Sequence, residues 1–79
     1  MMNNTNFDAI ERTFIAETLA FIRKVYEADV PSVNLDFLRG QLYSLYELNA
    51  ITYDEYHKHD CMIVCTRKSR EMRMMEYNL

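Results

Sequence analysis

A chain of 79 residues with a net charge of −3, 49% hydrophobic and 27% charged residues has room for one small domain. Residues 1–79 are therefore read as a single unit, burying roughly 60% of the surface that the unfolded chain exposes. That hydrophobic and charged content, with a single Gly and a single Pro, stands well away from the disordered class and points to an all-α fold with long helices.

The acidic balance argues against a generic nucleic-acid binder, but it is uneven. Residues 1–66 hold five Lys/Arg against ten Asp/Glu, a net of −5, whereas residues 67–79 hold four against two, a net of +2. No apolar run approaches the length of a membrane span, and residues 1–6 lack the basic and apolar regions of a signal peptide. A soluble cytoplasmic protein is expected. Cys61 and Cys65 stand four apart within one expected helix, where side chains project in parallel and a mutual disulfide is geometrically poor, so both are read as reduced thiols.

In chain order, a first helix is expected over residues 7–28. Thr5 or Asn6 would cap it, and Asp8 and Glu11 would lie near the positive end of its dipole. Phe7, Phe14 and Phe21 recur every seven residues beside Ile10 and Val25, while Ile15, Leu19, Ile22 and Tyr26 form an adjacent stripe. The resulting apolar arc spans roughly 180°, wider than the stripe of about 100° that a surface helix presents to its core. Glu17 and Lys24 interrupt the seam and argue against an extended two-stranded coiled coil. Pro31 marks a loop over residues 29–34.

The second helix starts behind Ser32 or Asn34. Leu35, Leu38, Leu42 and Leu45 form its core stripe, with Phe37 and Leu48 on one flank and Tyr46 on the other. Gly40 lies on its polar side, either permitting close backbone approach or simply tolerated. The stretch 48–56 sets the next boundary. Asn49 tolerates the left-handed conformation of a C-terminal cap, Thr52 and Glu55 make a capping box, and Ile51 and Tyr56 can close a hydrophobic staple. A third helix follows over residues 53–74 with Tyr53, Tyr56, Ile63 and Val64 facing inward. The partly β-branched run 61–66 has no strand to pair with and is kept helical. Residues 1–6 and about 75–79 are expected to be flexible.

The expected architecture is a small three-helix bundle, its long N-terminal helix packed across a helix-turn-helix hairpin, with self-association into a homodimer covering what one hairpin leaves bare. The expected function is a non-enzymatic protein–protein interaction or regulatory adaptor module. Phe14, Phe21, Tyr26 and Tyr43 are its candidate interface, since large apolar and tyrosine side chains suit protein contacts.

Two alternatives come from other constellations. The pattern over residues 42–64 is that of a helix-turn-helix DNA-binding regulator, whose phosphate contacts would be Arg67, Lys68, Arg70 and Arg73. Against it, the first turn of the reading helix holds Tyr53, Asp54 and Glu55, whose carboxylates repel a phosphate backbone. His57, Cys61 and Cys65 are candidate ligands for a soft metal, although three helical turns cannot converge on one ion. Catalysis by Cys61 with His57 would need an orienting third group, for which Asp60 is the local choice. No cofactor is expected. Asp60 and Arg67, seven apart on the apolar side of the third helix, suggest a face that is wet or paired.

Overall fold

Capping chemistry determines where each helix begins. In a computed structural model describing residues 8–28, 30 and 32–77, the helices are α1 (Ala9–Ala28), α2 (Leu35–Glu47) and α3 (Tyr53–Tyr77). At the start of α1, the Asp8 N–H donates to Glu11 Oε1 at 3.0 Å and the Glu11 N–H donates to Asp8 Oδ1 at 2.8 Å. Asp8 is thus the cap, rather than a residue of the first turn, because its carboxylate satisfies an orphan donor as well as Ser or Thr would. The caps expected at Thr5 or Asn6, and Phe7 as first helical residue, lie outside the described residues.

Asn34 caps α2, its side chain accepting the Phe37 N–H at 3.1 Å. At the other end Asn49 takes a φ of 60°. The Ala50 N–H donates to the Leu45 carbonyl at 2.9 Å and the Asn49 N–H to the Tyr46 carbonyl at 3.0 Å. This pair of bonds is a Schellman motif, which absorbs carbonyls the helix end would leave bare. Two residues later the capping box closes, with the Thr52 N–H on Glu55 Oε1 at 2.9 Å and the Glu55 N–H on Thr52 Oγ1 at 3.1 Å.

All regular structure among the described residues is helical, and α3 is the central element, packing equally on α1 and α2, which touch each other less. The core joins Ile22 and Val25 of α1, the four leucines of α2, Ile51 of the turn, and Met62 and Ile63 of α3. Leu42 is wholly buried. Ile51 and Tyr56, the expected staple pair, belong to this cluster as a buried and a partly buried member.

The inner face of α3 differs from the expected one. Val64 is 40% exposed and Tyr53 58% exposed, while His59, Met62, Ile63 and Thr66 are buried. Polar residues mask this stripe in the sequence, yet each is satisfied inside its own helix. His59 Nδ1 bonds the Glu55 carbonyl at 2.7 Å, and the Thr66 hydroxyl donates to the Met62 carbonyl at 2.8 Å. In α1, buried Thr18 does the same with the Phe14 carbonyl at 2.9 Å. Such back-bonding lets a hydroxyl or imidazole enter an apolar core without the penalty of an unmet polar group. A second departure concerns Phe37 and Leu48, which flank the leucine stripe but stand in solvent.

α3 also runs to Tyr77, past the expected end near Met74. A Cβ at Gly40 would meet no atom within 4 Å, so no close approach requires that glycine.

Candidate interaction surface

The first turns of α1 and the last turn of α2 meet at one end of the bundle. Because the Schellman turn ends α2 abruptly, Leu48 projects beside Ala50 instead of continuing into the core. Opposite them stand Ile10 and Phe14, 80% and 54% exposed. Ile10, Phe14, Ile15, Leu45, Leu48 and Ala50 enclose an open, almost wholly apolar groove of about 370 Å3, with Glu11 at its edge. A second hollow adjoins it across Phe14, lined by Ala9, Ile10, Thr13 and Glu17. Ile10, Phe14 and Leu48 thus form one contiguous exposed apolar surface rather than scattered positions.

The four residues expected to form one interface do not share a patch. Phe14 and Phe21 lie along the same edge of α1. Five residues beyond Phe21, Tyr26 is turned by about 140° and emerges on the far side of the buried stripe. Tyr43 belongs to a different cluster, at the α2–α3 hairpin. There Tyr46 stacks on Tyr56 at 4.9 Å between ring centroids, Tyr43 meets Tyr56 edge-on at 6.1 Å, and Tyr53 stacks on His57 at 5.9 Å. The aromatic cluster ties the two helices together just beyond their turn. The Glu47 carboxylate accepts a hydrogen bond from the Tyr43 hydroxyl and repels its ionised form, which raises Tyr43 above the ordinary tyrosine value.

Two of the four cations proposed for phosphate contact already have structural work. Arg67 pairs with Asp36 at the start of α2, a favourable place for a carboxylate on the helix dipole. Arg70 donates to the Val33 carbonyl at 2.9 Å and the Val30 carbonyl at 2.6 Å, clamping the α1–α2 loop onto α3. Arg73 also has an interaction within the chain, and Lys68 is exposed.

Asp60 accepts both arms of a bidentate pair from Arg39 of α2, Nε to Oδ1 at 2.7 Å and Nη2 to Oδ2 at 3.2 Å. That bond and the attraction of the carboxylate raise the Arg39 pKa further. The wet or paired face suggested by Asp60 and Arg67 is thus paired within one chain, across α2 and α3.

His57 Nε2 lies 3.7 Å from Cys61 Sγ, and both cysteines are free and exposed. Among the described residues no three His, Cys, Asp or Glu side chains converge as a metal site, and no helix is long and apolar enough to cross a membrane.

The groove was not foreseen as a unit, since it needs α1 apposed to the end of α2. Phe14 is legible as a surplus apolar position and Ile10 only as its neighbour on one edge of the helix, whereas Leu48 and Ala50 become surface features only through the turn. In comparisons with known proteins, no family model, curated protein or solved structure matches the chain.

Proposed function

We propose that the chain is a non-enzymatic protein–protein interaction module that binds an apolar segment of a protein in the groove between α1 and α2. The observation that carries this reading is the exposed apolar groove with its acidic surroundings. Glu11 borders it, Glu17 lines the adjoining hollow and Glu47 precedes Leu48. A fitting partner presents two or three large apolar side chains at helical spacing, flanked by Lys or Arg, in the manner of a helix laid into a hydrophobic groove. Self-association into a homodimer is the second part of the reading, favoured by the small size of the unit and the apolar surface it leaves bare.

The test is to pan a random-peptide display library on the purified protein. Enriched peptides are expected to carry apolar anchors between basic residues. Their affinity should fall tenfold or more on Phe14→Ser or Leu48→Ser, about 1.4 kcal/mol, with helicity unchanged. Equal binding by both variants would place the contact elsewhere and overturn the assignment.

The α2-turn-α3 hairpin gives the alternative, a DNA-binding regulator, its support through the tightness of the turn. Steeply salt-dependent duplex binding that collapses on Lys68→Gln would favour it over the groove.

A further inference from the structure

The side of α3 turned away from the core carries two metal-ligating side chains that the groove does not use. His57 and Cys61 stand one helical turn apart, both exposed, with His57 Nε2 3.7 Å from Cys61 Sγ. With Zn–N of about 2.0–2.1 Å and Zn–S of about 2.3 Å, two such donors on one tetrahedral ion lie about 3.6 Å apart. The pair is therefore already set at the bite of a single zinc ion. Tyr53 steadies the imidazole, its ring stacking on that of His57 at 5.9 Å. Cys65, the third ligand weighed from the sequence, stands a further turn along, about 6 Å up the helix axis from Cys61. No third His, Cys, Asp or Glu among the described residues converges on the pair.

The rest of the fold lies on the wrong side to complete such a site. At 100° per residue, His57 and Cys61 point roughly opposite to His59, Met62, Ile63 and Thr66, the buried face of α3. The two open positions of the ion thus face outward, away from α1 and α2. A second copy related by a twofold axis brings the same two donors, and the four together make the closed Cys2His2 set of a structural zinc. Charge balances as well. Each Cys61 thiol gives its proton to water on binding, and two thiolates with two neutral imidazoles offset the charge of Zn2+. Tyr53 and Val64, 58% and 40% exposed, flank the pair along the helix and supply apolar surface that shields the ion where two α3 helices cross.

We infer that His57 and Cys61 are half of a zinc site completed by the same pair from a second copy of this chain, the ion bridging two α3 helices in a symmetric dimer. The inference stands apart from the groove. It gives the self-association proposed above one definite contact and makes it depend on metal.

Native mass spectrometry of the full, reduced chain titrated with zinc chloride tests it. A dimer holding one zinc ion is expected, and excess EDTA should return the monomer. His57→Ala and Cys61→Ala, each at an exposed position and each checked for helicity by circular dichroism, should lose ion and dimer together, while Cys65→Ala keeps both. With Co2+ in place of zinc, the unaltered chain should develop the intense d–d absorption of a tetrahedral ion and a thiolate charge-transfer band, saturating at one ion per two chains. No zinc uptake, zinc held by single chains, uptake indifferent to His57→Ala or Cys61→Ala, or loss on Cys65→Ala would each overturn the inference. A dimer that forms to the same extent with and without zinc would overturn it too, leaving self-association through another face in place. The double variant Phe14→Ser with Leu48→Ser should retain the zinc-bridged dimer; its loss with helicity intact would place the contact at the groove and defeat the bridging site.

Discussion

Gly40 sits within α2 on its solvent side, with open space where a Cβ would project. It contributes backbone freedom to the unfolded chain and nothing specific to the folded one. Gly40→Ala should therefore stabilise the protein by about 1 kcal/mol, seen as a rise of about 4–8 °C in the thermal midpoint. A fall would mean that some partner approaches this surface closely. Tyr43 offers a test of a different kind. Its raised pKa, caused by the hydrogen bond to Glu47 and the charge behind it, means that folding favours the neutral phenol. That stabilisation is complete below the unfolded tyrosine value of about 10 and is lost as pH rises through the folded value. Replacing Glu47 by Gln keeps an acceptor but removes the charge. In an NMR titration of the Tyr43 ring, the midpoint should move down towards the ordinary value; an unmoved midpoint would exclude Glu47 as the cause.

Elements are held here by local caps and by long-range links, the Arg39–Asp60 and Arg67–Asp36 pairs across α2 and α3 and the Arg70 clamp on the α1–α2 loop. The caps were legible because their chemistry is confined to a few consecutive residues: Asn49, Thr52 and Glu55 act as their spacing implies. The leucine stripe of α2 was legible for the same reason, as period and burial coincide. The inner face of α3 was not, because His59 and Thr66 read as surface residues until one sees that each bonds a carbonyl four positions back. Nor could spacing reveal that Arg70 reaches carbonyls some forty positions upstream, or that Ile10 would face Leu48. Phe14 and Phe21 were recognisable as surplus apolar residues, while the direction of Tyr26 depended on where the buried stripe of α1 settled. The clamp can be measured. Arg70→Ala removes a charged donor from two carbonyls, and with hydrogen bonds to charged groups contributing about 1.5–3 kcal/mol, partly offset by water, a loss of about 1–3 kcal/mol is expected in urea unfolding. Arg70→Lys should not restore it, since an ammonium lacks the fixed fork that spans both oxygens. Full rescue by lysine would show that charge, not geometry, holds the loop.

At the scale of the molecule, three helices share one core with α3 between the other two. None has an independent reason to persist: even the 20 residues of α1 are marginal as an isolated helix in water, since nucleation is costly and most helical stability comes from packing. The core has nine buried hydrophobic side chains among the described residues, and Leu42 is the one with no exposed surface. Truncating a buried leucine to alanine costs about 2–5 kcal/mol, through lost transfer energy and the cavity left behind. A chain of this length has only about 4–12 kcal/mol in total, at 0.05–0.15 kcal/mol per residue. Leu42→Ala should therefore remove a large share of the stability and act on all three helices together. Thermal unfolding followed by circular dichroism at 222 nm should remain one cooperative step with a sharply lower midpoint, whereas Leu48→Ala, at an exposed position, should change stability by no more than about 0.5 kcal/mol. A Leu42→Ala protein that lost α2 but kept the signal of α1 and α3 would show that those two helices form a stable pair without the hairpin, and that α2 is an accessory to them rather than part of a single folding unit.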